Sequence, residues 1–238
     1  MAPPDLILHG GTIHTLDGSS RSASALAVAR GSVAAVGSDA QILASRGRDT
    51  RLIDLAGRTL TPGFFDAHPH LDRHGLKALG GVPIAHCTSI AEIVDVVRET
   101  AARTPTGEWI VVMPMGAPPE NYVYRADQLR EGVPVALSTD GVPHSMLFAL
   151  WEALARWDND SKMQLGESGL TREPALRLAT VAGHVLTWDE DRRGPLEPGK
   201  AADFVVLEDD PLTCTLEAIR DIPVLRTFVG GRQVHGPA

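Results

Sequence analysis

From Asp5 to about Leu60 the apolar runs are short and glycines separate them: LILHGG, TIHTLDG, ALAVARG, SVAAVG and RLIDLAG. Runs of this length bounded by turn residues predict a meander of β-strands. The stretch from Gly194 reads the same way, with ADFVVL, a polar Pro-containing connection, then VLRTFVGGRQVHG. Two Gly-Gly turns resemble each other, Leu8-His9-Gly10-Gly11-Thr12-Ile13-His14 and Phe228-Val229-Gly230-Gly231-Arg232-Gln233-Val234-His235, and both are expected to be hairpins. A lone hairpin is marginal in water, so strands from the two termini are expected to join in one small β-sandwich domain, residues 1–61 with 194–238.

The middle, residues 62–193, has a different period. Ile90, Ile93, Val94, Val97 and Ala101 fall at helical spacing, and Ser89 with Glu92 forms a capping-box signature, predicting a helix over Ser89 to Arg103. Strands are expected at Trp109 to Met113 and at Val133 to Ser138. Helices follow from about Ser145 to Trp157, with Met146, Leu147, Leu150, Leu154 and Trp157 on one stripe, and from Thr171 to about Ala182. Strands alternating with helices point to parallel βα units, hence an α/β fold. The segment MPMGAPPENYVY, Met113 to Tyr124, reads as a loop or junction.

Composition narrows the function classes. The 238 residues are 43% hydrophobic and 22% charged, the usual globular mixture, and 22 basic against 30 acidic residues give a net charge of −8. With no basic stripe to neutralise phosphates, nucleic acid is not an expected partner. The two cysteines, Cys87 and Cys214, stand far apart without metal or redox spacing. No apolar run approaches the ~18 residues of a membrane span and no leader pattern is visible, so a soluble, cytoplasmic protein is expected.

The densest chemical signal is Thr61-Pro62-Gly63-Phe64-Phe65-Asp66-Ala67-His68-Pro69-His70. Residues two apart in an extended segment point the same way, so His68 and His70 present two imidazoles to one divalent cation. An isolated His-x-His equally fits two unrelated surface histidines. An Asp before Gly, as at Asp140-Gly141, is on its own a turn residue. His9, His14 and His235 read as surface residues and His184 as a packing or capping residue. His144 is the remaining substitute ligand, while His74 and His86 read as solvent-facing or structural. Trp151 with Trp157 reads as helix packing, and Glu152 with Arg156 as a solvated i, i+4 pair.

DLILHGGTIHTLDG, LAVARGSVAAVGS, RLIDLAGRTLTPGFFDAHPHLD and the late LEPGKAADFVVLEDDPL together resemble the amidohydrolase superfamily. The likeness is to its amidohydrolase-3 branch, which includes N-substituted formamide deformylases and N-acyl-D-amino-acid deacylases, and it runs in two segments, about Pro4 to Pro118 and Glu120 to His235. It implies a metal-dependent (β/α) barrel flanked by a β-sandwich, with His68 and His70 as ligands at the end of the first barrel strand. VPVALSTDG resembles the last barrel strand, making Asp140 both a metal contact and the proton carrier. The activity implied is hydrolysis of non-peptide carbon–nitrogen bonds, such as those of small N-formyl or N-acyl amides, with a divalent metal, expected to be zinc.

Residues 62–193 are about half of the ~250 that an eight-stranded barrel takes, so an incomplete, TIM-barrel-like βα layer is expected. The family's bridging lysine and two further histidines have no counterpart, since Lys77, Lys162 and Lys200 end no matching strand. An open barrel edge would promote self-association. The competing expectation is an internally deleted, inactive remnant that serves as a binding or assembly protein.

Overall fold

The structure, a computed structural model, describes residues 3–19, 22–70, 82–83, 87, 89–108, 110, 112–113, 135–140, 144–158, 162–164, 166 and 170–237. Strands β1 (Leu6–His9), β4 (Ala25–Ala29), β5 (Ser32–Gly37) and β6 (Arg51–Asp54) form a four-stranded sheet in the order β5-β4-β1-β6. Strands β2 (Thr12–His14), β3 (Ser22–Ala23) and β7 (Thr59–Pro62) join β12 (Phe204–Leu207), β13 (Val224–Val229) and β14 (Arg232–His235) in a six-stranded sheet ordered β14-β13-β12-β7-β2-β3. Strands from both ends of the chain therefore share one sheet, and the seam between them is the antiparallel pair β7–β12, with Phe204 opposite Pro62 and Leu207 opposite Thr59.

Alternation along these strands explains their unbroken apolar runs. Leu6 and Leu8 of β1, Leu26 and Val28 of β4, Ile13, Leu60, Phe204, Val206 and Phe228 meet in one buried cluster shared by the two sheets. The intervening Ile7, Ala25 and Ala27 turn to the opposite face, where helix α1 (Asp39–Leu43) covers them with Ile42. On β12, Val205 and Leu207 face a third cluster made by helices from the middle of the chain. A strand buried on both faces carries apolar side chains at every position, so period 2 is hidden in its sequence. Phe204 and Phe228 stack with ring centroids 4.6 Å apart, and both are fully buried.

The expected hairpin at Gly10-Gly11 is instead a crossover. β1 and β2 lie in different sheets, and the β6–β7 connection makes the same passage beside them, so β1 pairs with β6 and β2 with β7 in parallel. Backbone bonds from Leu55 N to His9 O and from Gly57 N to Gly10 O, both 2.7 Å, hold the two corners together, with Thr12 N to Arg58 O at 3.0 Å. A Cβ on Gly11 would stand 2.4 Å from Arg58 O, so only glycine permits this approach. Gly230-Gly231 is the hairpin it resembles, joining β13 to β14.

Helix α2 (Ile90–Ala101) starts where expected, the Ser89 hydroxyl accepting from Glu92 N. Helix α3 (Met146–Ala155) is capped by Ser145, which accepts from Phe148 N, and it buries Met146, Leu147, Leu150, Trp151 and Leu154 as one stripe. Arg220 lies over the Trp151 ring, 4.4 Å from its centroid, and Trp157 packs at 6.4 Å. Helix α4 (Arg172–Ala179) is shorter than expected: Thr180 turns its hydroxyl back to Leu176 O, and a 3₁₀ turn, Ala182–Leu186, follows. Of the strand expected at Trp109 to Met113, the described residues include β9 (Val112–Met113), paired in parallel with β8 (Val82–Pro83), while 109 and 111 lie outside the described residues. Between α3 and α4, β10 (Trp157–Asp158) pairs antiparallel with β11 (Met163–Gln164). The junction at 114–134, with His74, Lys77 and His86, lies outside the described residues. No described helix is long and apolar enough to cross a membrane.

Candidate metal centre

The chain leaves β7 at Pro62, and residues 63–70 run beside 135–140. The described residues 135–138 of the strand expected at Val133 to Ser138 form no regular ladder, yet both segments are tied by backbone bonds: Gly63 N to Asp203 O at 3.1 Å, Phe65 N to Ala179 O at 2.9 Å, Ala67 N to Leu137 O at 3.4 Å and Leu137 N to Leu178 O at 2.9 Å. The β7–β12 seam, the end of α4 and the 135–140 segment thus aim the histidines. Phe65 packs edge to face on His184, ring centroids 5.0 Å apart, and His184 Nδ1 bonds Asp189 at 3.0 Å, so His184 is a packing residue.

At the far end of the two segments His68, His70 and Asp140 converge, one ligand atom from each lying within 4.8 Å of the others. His70 Nε2 is 2.8 Å and His68 Nε2 3.5 Å from Asp140 Oδ1. The imidazole rings meet edge to face, centroids 4.3 Å apart. His70 (φ 45°) and Asp140 (φ 49°) both adopt left-handed backbone. That conformation is uncommon outside glycine, and such outliers concentrate where the surroundings hold a functional geometry. The His68 side chain is 63% exposed, Asp140 40% and His70 26%, so the group opens to solvent on one side.

Two imidazole nitrogens and a carboxylate oxygen are a donor set suited to zinc or another borderline divalent cation. Ligand atoms on tetrahedral zinc, each about 2.0–2.1 Å from the metal, stand roughly 3.3 Å apart, near the 3.5 and 2.8 Å that separate the two histidine nitrogens from Asp140 Oδ1. The residues present fit such an ion with a small opening of the His70–Asp140 contact. His144 is exposed and stands outside the group. Lys200 belongs to the turn before β12, its Nζ donating to Glu190 O at 3.1 Å. Sequence reasoning missed Asp66, whose carboxylate accepts from His68 N and from Thr139; the only signal was its place in the Asp-x-His-x-His run.

His14 departs from the surface role expected of it. Its Nε2 lies 3.0 Å from Asp210 Oδ1, and both side chains are largely buried. Burial alone would raise the Asp210 pKa. The bonds from His14 and Leu212 N and the charges of His14 and Arg172 outweigh it and hold the carboxyl below its ordinary value.

The chain is also similar to known proteins. The family model described as "Amidohydrolase family" matches residues 51–127 and 115–235. N-substituted formamide deformylase of Arthrobacter pascens is 27% identical over 110 residues, 44% of this chain and 20% of that protein. Imidazolonepropionase of Symbiobacterium thermophilum is 34% identical over 123 residues, 43% of this chain and 29% of that protein. The matched stretches thus span less than a third of these relatives' own length. An amidohydrolase from Thermotoga maritima superposes with a TM-score of 0.59 at 15% identity, over 98% of this chain and 100% of that one. An adenosine deaminase from Xanthomonas campestris, solved with bound zinc, gives 0.59 at 14% identity over 97% and 93%. At these identities the superpositions speak for the mixed α/β fold, and the family model covers most of the sequence. The chain belongs to the amidohydrolase family, in its amidohydrolase-3 branch.

Proposed function

We propose that the protein is a metal-dependent hydrolase of non-peptide carbon–nitrogen bonds, with small N-formyl or N-acyl amides as substrates. The observation that carries this reading is the convergence of His68, His70 and Asp140 from two segments far apart in sequence. In it, His68 Nε2, His70 Nε2 and the Asp140 carboxylate hold one divalent cation, zinc. When bound, zinc lowers the pKa of water toward neutrality and polarises the substrate carbonyl. Asp140 takes the proton of the attacking water and delivers it to the departing amine nitrogen, a base and then an acid at one carboxylate.

The same reading divides the chain into a β-sandwich, residues 1–61 and 194–238, and an incomplete barrel-like layer, residues 62–193. The six-stranded sheet, which joins strands from both termini, supports the first of these units. It also carries self-association through an open strand edge, to be measured by sedimentation velocity.

Elemental analysis of purified protein tests the centre. About one zinc per chain is expected, and none in a His68→Ala/His70→Ala variant with an unchanged melting transition. Asp140→Asn should lower turnover of an N-formyl amine by roughly 10²–10⁴-fold. Wild-type zinc content no higher than the double variant's would exclude this function.

A further inference from the structure

We propose that Asp66 is the positioning residue of the centre, a carboxylate clamp that sets the distance between the segment carrying His68 and His70 and the segment carrying Asp140. This rests on the metal-centre reading above. Asp66 Oδ1 accepts the His68 backbone N–H at 3.1 Å and the Thr139 backbone N–H at 3.1 Å. Its Oδ2 accepts the Thr139 hydroxyl. One side chain therefore bonds the backbone of the first histidine and both donors of the residue directly before the aspartate.

The direct backbone link between these segments, Ala67 N to Leu137 O, measures 3.4 Å, at the weak end for such bonds. Bonds to an ionised carboxylate are about twice as strong as neutral ones. Thr139 is 8% exposed, so its bonds to Asp66 form where water competes poorly. Metal affinity depends on ligand placement to a fraction of an ångström. The Asp66 carboxylate points at backbone and at Thr139, and the imidazoles are oriented through the chain rather than by direct contact with it.

The test combines a metal readout with a metal-free one in Asp66→Ala, Asp66→Asn, Thr139→Val and Thr139→Ser. Zinc affinity is measured by competition with a chromophoric chelator, and ligand geometry by the visible absorption of the cobalt(II)-loaded chain. Exchange of the His68 and Thr139 amides is followed by NMR without metal. Asp66→Ala is expected to weaken zinc roughly 10–100-fold, the usual effect of removing an outer partner of metal ligands. Its cobalt spectrum should change and both amides should exchange faster, while the amides of β1 and β4 keep their protection. Asp66→Asn, which retains an acceptor, should recover most of the affinity, and Thr139→Ser more than Thr139→Val. Zinc affinity and amide protection in Asp66→Ala equal to wild type would overturn the clamp. A wild type that binds no zinc, combined with faster exchange at both amides in Asp66→Ala, would remove the metal-centre reading and leave the clamp standing.

Discussion

Asp210 and His14 make a pH-sensitive joint between β2 and the turn that follows β12. The Asp210 carboxyl titrates below its ordinary value in the folded chain, so the folded state binds its proton less readily than the unfolded one. Its contribution is present above the unfolded pKa of about 3.9 and is lost as pH falls through the lower folded value. Melting measured from pH 7 down to pH 2 should decline through this window, and Asp210→Asn should flatten that part of the decline; an unaltered slope would remove Asp210 as its source. This pair was invisible in the sequence because the partners are 196 positions apart and neither belongs to a recognisable motif. The candidate ligands were legible for the opposite reason. His68 and His70 sit two apart in one segment, while Asp140 was found only through its resemblance to a family strand end. Asp66 stood in plain view, but an Asp two residues before a His carries no signature of its partner Thr139.

Helices were legible at the level of the element because their caps and stripes are local. Ser89 caps α2 as the spacing predicts, and Ser145 caps α3 at the expected start of its helix. The corner at Gly10-Gly11 was not, since a glycine pair marks a turn without saying whether the next strand stays in its sheet, and the parallel β6–β7 corner that settles it lies more than forty residues on. Likewise β12 reads as one apolar run because both faces are covered. The 3₁₀ turn after α4 offers a test at this scale. A Cβ on Gly183 would stand 2.1 Å from Phe65 Cδ1, and Phe65 lies three residues before His68. Gly183→Ala should therefore push the ring aside, lower stability by about 1–3 kcal/mol as overpacking does, and weaken zinc binding. Calorimetry and the chelator titration check both; a stability loss with unchanged zinc affinity would separate this turn from the centre.

In the molecule as a whole, two sheets and the helices over β12 surround the point where the chain passes from β7 into the centre. The seam β7–β12 joins residues 59–62 to 204–207, and all eight are buried. Gly107, in an exposed turn with φ 95°, lies between the two partners. A protease site inserted there and cut should leave two pieces that elute together on gel filtration until denaturant is added, because β7–β12 and the shared Phe204–Phe228 cluster still hold them. Pieces that separate without denaturant would show that the seam does not suffice. The seam also imposes a timetable on synthesis. As the chain emerges from its N-terminus, β7 is complete long before β12 exists, and a strand that is fully buried in the finished fold waits with one edge bare. The segment with both histidines extends directly from that waiting strand, so its anchor arrives only with the last third of the polypeptide. On the proposed metal-centre reading, a nascent chain exposes its candidate ligands before it can hold them in place, and metal is bound only once β12 has docked on β7.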